Sequence, residues 1–156
     1  MKKRICCPFL GLGFLAAILL AAQVAHAALG ESIDSIASDR KSLSAVQGAM
    51  TARDGYTIQT IESDSTTFRE YVSPSGVVFG IAWNGLIHPD LTRLLGSYAS
   101  EYQEALRQMP RTPGRRSIQV KTDHIVVEKW GHMRNLQGRA YAPALMPQGV
   151  SINEIK

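Results

Sequence analysis

A polar cluster near the C-terminus has the residue types needed to bind an anion. His132, Arg134 and Arg139 lie within eight residues of one another, beside Gly131 and Gly138. Arginine can hold a carboxylate or phosphate through two parallel hydrogen bonds, and glycines let the backbone turn and expose its N–H donors. The pattern predicts a site for an anionic small molecule on a hairpin edge that the two arginines share. The alternative is a solvated hairpin whose arginines pair with nearby carboxylates.

The densest positive charge lies before this cluster, within and on both sides of a loop that contains two prolines. It consists of Arg107, Arg111, Arg115, Arg116 and Lys121. Such a set could contact an anionic lipid head group, lipopolysaccharide or an acidic envelope protein, with an affinity that falls as salt screens the charges. No aromatic residues interleave with these charges, which argues against single-stranded nucleic acid as a partner. The alternative is an ordinary solvated loop.

His124 and Glu128 fall on one face of a predicted strand, which is compatible with acid–base chemistry or with two metal ligands. A zinc site needs three or four protein ligands, and the chain has no His-x-His pair. The sequence therefore predicts no metal site and no cofactor. A small exported hydrolase that uses His124 or His132 is an alternative function, although the chain has no Gly-x-Ser-x-Gly nucleophile elbow. No residue is singled out as catalytic.

The stretch Arg69–Leu106 organises the elements that must position these residues. It begins with the sequence Ser73-Pro74-Ser75-Gly76, whose proline and glycine positions are typical of a type I turn. Large and small residues then alternate, which predicts a strand with one core face. The residues on that face are Val77, Phe79, Ile81 and Trp83. The small-residue face, which includes Gly80, could let another backbone approach closely.

A long helix is predicted over Asp90–Gln108. Pro89 suits the first helical position, Asp90 is favoured in the first turn, and Pro110 ends the helix. One face repeats at helical spacing through Leu91, Leu94, Leu95, Tyr98, Tyr102 and Leu106. Gly96 costs about 1 kcal/mol relative to alanine in a helix interior. The helix therefore either tolerates this residue or packs very closely there.

The remaining segments complete an α+β pattern. A shorter helix is predicted over Glu31–Val46, and strands are predicted over Tyr56–Ile61, Thr66–Val72, Ile118–Val120, Ile125–Val127 and Arg139–Ala142. Gly131 to Gly138 is predicted to be a connector. Together these segments predict an antiparallel sheet of five or six strands, with the long helix packed on one face and a shorter N-terminal helix.

Residues 1–27 have the pattern of a signal peptide. Lys2, Lys3 and Arg4 precede an apolar run, and Ala25-His26-Ala27 supplies small residues at the two positions that a signal peptidase reads. The run is about 16 residues, shorter than the roughly 20 that a spanning helix needs. Cleavage between Ala27 and Ala28 would leave a single exported domain, residues 28–156, in the periplasm or the medium. No transmembrane segment is expected after cleavage.

Removal of this segment changes the composition of the chain. Three of the 17 basic residues and both cysteines lie within it. The mature chain is therefore close to neutral and lacks the strong positive charge typical of nucleic-acid-binding proteins. It also cannot form a disulfide, so its stability must come from an ordinary hydrophobic core.

Three runs of residues carry a family resemblance. REYVSPSGVVFGIAW, DLTRLLGSY and GHMRNLQGRAYAPALMPQGV, together with an Ala-Leu-Gly start after the signal, resemble the bacterial domain-of-unknown-function family 2844. The resemblance implies export from a Gram-negative cell and assigns no activity to any residue. The sequence thus predicts an exported binding or accessory protein for an anionic ligand or an envelope partner. The alternatives are the small hydrolase and a structural partner in an envelope assembly.

Overall fold

The computed structural model describes residues 29–33, 46–110 and 112–156. The predicted signal peptide and its cleavage site between Ala27 and Ala28 lie outside the described residues. Residues 34–45, which form most of the predicted N-terminal helix, and Arg111 also lie outside them.

Seven strands form one sheet in which every neighbouring pair is antiparallel. They are β1 (Val46–Arg53), β2 (Tyr56–Glu62), β3 (Thr66–Val72), β4 (Val78–Gly85), β5 (Ser117–Lys121), β6 (Val126–His132) and β7 (Asn135–Tyr141). The strand order is β1-β2-β3-β4-β7-β6-β5. The last strand in the chain therefore lies between β4 and β6, next to the middle of the sheet.

The prediction of five or six strands was wrong because β1 was not predicted. The predicted connector Gly131–Gly138 is instead a tight hairpin, in which His132 of β6 pairs with Asn135 of β7. The predicted helix Glu31–Val46 is contradicted at both ends, since Ser32 forms a β-bridge with Val77 and Val46 begins β1. Residues 46–53 instead pair antiparallel with β2, to which they are joined by a short turn.

The long helix is present, but it is interrupted. It consists of α1 (Leu91–Leu95), a 3₁₀ turn at Gly96–Tyr98, and α2 (Ala99–Gln108), which together span 18 residues. The Asp90 side chain caps α1 by accepting a hydrogen bond from the Thr92 N–H at 2.9 Å. Gly96 has φ +50°, a value that non-glycine residues rarely adopt, and it ends α1. The glycine therefore breaks the helix instead of being tolerated within it.

Both faces of the sheet are covered. On one face, buried residues of the helices pack against Ile81, Trp83 and their neighbours; these helical residues are Leu91, Leu94, Leu95, Ala99 and Tyr102. On the other face, the C-terminal segment 143–156 covers a second cluster that includes Tyr56, Tyr71, Phe79, Tyr141 and Ile155. This two-sided packing explains why β4 is buried on both faces.

The prediction that Phe79 shares the face of Ile81 and Trp83 was wrong. Tyr71 pairs with Gly80, whereas Val72 pairs with Val78, so the strand contains a bulge at this point. A bulge places an extra residue in one strand and reverses the alternation of side chains beyond it. Phe79 therefore joins the second cluster.

A side chain lies close to Gly80, where the sequence predicted the approach of another backbone. A Cβ atom at Gly80 would lie 3.0 Å from Cδ1 of Ile155, which is itself fully buried. The glycine thus makes room for the C-terminal segment on the small-residue face of β4.

Candidate functional site

Arg139, one of the predicted ligand-binding residues, lies in β7 and contacts the C-terminal segment. Its Nε donates to Glu128 Oε2 at 2.5 Å, and its Nη1 donates to the carbonyl oxygens of Ile152 at 2.9 Å and Ile155 at 3.3 Å. The guanidinium also lies 5.9 Å from the ring centroids of Trp130 and Tyr141. The Arg139 guanidinium therefore already donates to one carboxylate and two carbonyl oxygens. These contacts hold the C-terminal segment against the sheet.

Arg134 lies away from Arg139. It occupies the two-residue turn between β6 and β7, is exposed, and has φ +66°. Arg139 is four residues into β7, about 13 Å along the strand from its first residue. The structure therefore does not bring the two arginines to a shared edge.

His124 lies before β6, so the prediction that it shares a strand face with Glu128 was wrong. Its Nδ1 is 3.1 Å from Glu101 Oε2, and its ring stacks on Tyr98 with centroids 6.4 Å apart. A hydrogen bond from the Thr122 side chain, reinforced by hydrogen bonds from His124, lowers the pKa of Glu101. The arrangement is a hydrogen-bonded pair at the surface that ties α2 to the turn before β6.

No described contact equips His124 or His132 for hydrolysis. Within residues 29–33, 46–110 and 112–156, no hydrogen bond joins either ring to a hydroxyl group, which a nucleophile and its general base would need. The same residues contain no group of three or more His, Cys, Asp or Glu that could hold a metal ion.

Basic side chains converge instead at the end of the sheet near the β6–β7 turn. They border a groove of 710 Å³, which we call the cationic groove, and they are His88, Arg115, Arg116, Lys129 and His132. Ile118, Met133 and Leu136 supply apolar lining. No described Asp or Glu side chain lines the groove. An anion placed here would meet donors from three separate segments of the chain.

Strand pairing positions Lys129. It lies in β6 between Ile118 of β5 and Gly138 of β7, on the face that carries the helices. Its Nζ is 5.8 Å from the centroid of the Tyr102 ring, which limits the directions that the side chain can take. The charge is therefore held at the floor of the groove, whereas the arginines stand at its rim.

Trp83 positions His88. Gly138 has no side chain, and the Trp83 indole fills the space beside it. A Cβ atom at Gly138 would collide with the indole ring. The Trp83 Nε1–H donates to His88 Nδ1 at 3.1 Å, so a neutral His88 carries its proton on Nε2. Burial, together with the nearby charge of Lys129, lowers the pKa of His88 below its ordinary value of 6.5.

The loop before β5 positions the two arginines. Arg115 Nη2 donates to the Thr112 hydroxyl at 2.9 Å, and both Arg115 and Arg116 are exposed. His132 is the last residue of β6 and is also exposed. These side chains can move toward a ligand at little cost because few contacts restrain them.

The structure regroups the predicted residues. His132 from one predicted cluster and Arg115 and Arg116 from the other line the same groove. Arg107 instead pairs with Glu104 at 2.7 Å, and Arg111 lies outside the described residues.

His88 and Lys129 were missed as site residues. His88 directly precedes Pro89 at the predicted helix start and was not selected, and Lys129 was not singled out in its predicted strand. The one available signal was that Lys129 shares a strand face with Val127. That face is otherwise apolar, and a cation is unusual there.

Comparisons with known proteins identify a family and distant structural similarity to a secretory protein. The sequence profile described as "Protein of unknown function (DUF2844)" matches residues 25–155, which confirms the predicted resemblance. A cysteine-rich secretory protein from Staphylococcus aureus is similar in structure, with a TM-score of 0.46 and 11% identity. The match covers 75% of this chain and 45% of that protein. No curated protein matches the chain. Among the described residues, no helix has the length and apolar character needed to span a membrane.

Proposed function

Because the chain belongs to the DUF2844 family, whose description assigns no activity, we propose from the cationic groove that the protein binds an anionic ligand. The observation that carries this proposal is the convergence of five basic side chains, without a lining carboxylate, from three segments of the chain. The pattern of residues 1–27 supports export as part of the proposal, with binding in the periplasm or the medium.

Electrostatics favours an anion in this position. Arg115, Arg116 and Lys129 are cationic at neutral pH, and like charges that line one groove repel one another. A bound carboxylate, phosphate or sulfate would relieve this repulsion and accept hydrogen bonds from the guanidinium groups. A groove of 710 Å³ falls within the range of small-molecule sites. Because the arginines are exposed, binding should weaken as salt increases.

Arg139 makes a useful contrast. Its guanidinium already has a carboxylate and two carbonyl acceptors, so an added anion would have to compete with them. No corresponding carboxylate occupies the groove lining among the described residues. Of the three residues that the sequence predicted to bind a ligand, His132 is the one that supports this proposal. The geometry around His124 and His132 offers no comparable support for a hydrolase.

Calorimetry with phosphate, sulfate and citrate at low and high salt tests the proposal. We expect heat of binding at low salt, which should decrease as salt is added. Lys129→Gln should weaken binding by roughly tenfold, the cost of about 1.4 kcal/mol for one charge-assisted hydrogen bond.

Arg134→Gln is the matched control, because it removes one exposed positive charge outside the groove lining. It should leave the affinity within about twofold. If Arg134→Gln weakens binding as much as Lys129→Gln does, the groove is not the site. If the wild type produces no heat with any of the anions, the proposal fails.

A further inference from the structure

A second, smaller groove adjoins the first. It has a volume of 350 Å³ and lies where the C-terminal end of α2 meets β5 and the loop between them. Its lining includes the apolar residues Leu106, Met109, Pro110, Pro113 and Ile118. Arg115 is the one charged residue among its described lining residues. We call it the apolar groove.

The two grooves meet at Arg115 and Ile118, which line both of them. Ile118 pairs with Lys129 across β5 and β6, so the floor changes from a cation to an apolar side chain between neighbouring strands. Leu106, Met109 and Ile118 pack against the core and are only partly buried. Their remaining apolar surface faces water in the absence of a ligand.

We propose that the ligand is a single-chain amphiphile, whose anionic head group lies in the cationic groove and whose alkyl chain lies in the apolar groove. This inference rests on the proposed function and adds the chemical class of the ligand. A small polar anion would leave the apolar groove uncovered, and a neutral alkyl chain would leave the cations of the first groove unpaired. A molecule with one charged end and one apolar end satisfies both surfaces through their shared boundary.

Chain length gives the proposal a quantitative test. Each methylene that leaves water contributes roughly a fourfold gain in affinity. If about four methylenes enter the apolar groove, decyl phosphate should bind at least roughly a hundredfold more tightly than methyl phosphate. The ratio of the two dissociation constants is the readout, because head-group binding contributes equally to both.

The experiment uses protein expressed from residue 1 and purified in the form that the cell produces. Methyl phosphate, decyl phosphate below its micellar concentration and decyltrimethylammonium are titrated by calorimetry. Leu106→Gln should reduce the chain-length ratio at least about fivefold and leave methyl phosphate binding unchanged. Leu86→Gln is the matched control, since Leu86 is 54% exposed and lines neither groove, and it should not change the ratio.

A second variant guards against loss of folding in Leu106→Gln. Pro113→Glu places a carboxylate in the apolar groove at an exposed position, and it should also reduce the chain-length ratio. If methyl phosphate binds and decyl phosphate binds no more tightly, the inference is overturned and the proposed function stands. If neither alkyl phosphate binds, the inference is overturned, and the proposed function fails with it when phosphate, sulfate and citrate also produce no heat. If decyltrimethylammonium binds as tightly as decyl phosphate, the anionic head group is refuted and the proposed function with it.

Discussion

Replacement of Arg139 by alanine should destabilise the fold by loosening the C-terminal segment. The change removes a hydrogen-bonded ion pair with Glu128 and two hydrogen bonds to the carbonyls of Ile152 and Ile155. Removal of one partner from a fully buried ion pair costs about 3–5 kcal/mol, because the remaining charge is left uncompensated. Here the Arg139 and Glu128 side chains are 19% and 18% exposed, so water can partly solvate the carboxylate left in the variant. We therefore expect a loss of about 2–3 kcal/mol in the free energy of unfolding.

Urea unfolding of the wild type and five variants measures this loss. Arg134→Ala is the control, because this exposed arginine lies in a turn and should change stability by less than about 0.5 kcal/mol. The double variant Arg139→Leu with Glu128→Leu should be less destabilised than the sum of the two single leucine variants, since it leaves no uncompensated charge. Amide exchange should quicken at Ile155 in Arg139→Ala. Two results would refute the structural role assigned to this arginine. One is a loss of unfolding free energy below about 0.5 kcal/mol in Arg139→Ala, and the other is a loss in the double leucine variant equal to the sum of the losses in the two single variants.

Three further predictions concern other parts of the chain. The pKa of His88 is lowered in the fold, so between pH 6.5 and that lowered value the unfolded chain binds more protons. Melting temperature should therefore fall on acidification through this window, and it should fall less in His88→Asn, which cannot titrate. Gly138→Ala forces Trp83 from its position and should lower the free energy of unfolding by about 1–3 kcal/mol. The tryptophan fluorescence spectrum should also shift, and an unchanged spectrum would contradict the packing of Trp83 against Gly138. The exported protein should begin at Ala28 by N-terminal sequencing, and a membrane-retained chain that keeps residues 1–27 would disprove cleavage.

Features set by a few neighbouring residues were predictable from the sequence. At the predicted turn, the Gly76 N–H donates to the Ser73 carbonyl at 2.9 Å, and Gly76 has φ +79°. The buried helix face through Leu94 and Leu95 is also as predicted, whereas Asp90, which was expected within the first turn, is the N-cap of α1. Each depends on backbone angles, hydrogen bonds or spacing within about one turn, which the residue types themselves constrain.

The break at Gly96 marks the limit of this local information. Helix propensity gives the free-energy cost of a glycine in the interior of a helix. The sequence left two alternatives at Gly96, toleration or very close packing, and both kept the helix continuous. The actual outcome, a positive φ followed by a 3₁₀ turn, keeps Leu95, Ala99 and Tyr102 all buried against the sheet. Packing of the two helical pieces against the sheet favours this conformation, and Gly96 permits it because glycine adopts a positive φ readily.

The tertiary structure alone decided which charged groups would act together. Arg139 and Arg134 are close in sequence and separate in space, because β7 runs away from its turn and places Arg139 beside Glu128 of β6. His88 and Lys129 are far apart in sequence and line one groove, because β7 lies between β4 and β6 and brings the two segments to the same end of the sheet. The sequence by itself determined the turn at Ser73–Gly76, the buried face of the helix and the family of the protein. The partners of its charges depend on strand order, which arises from pairing between distant segments and has no signature within any one of them.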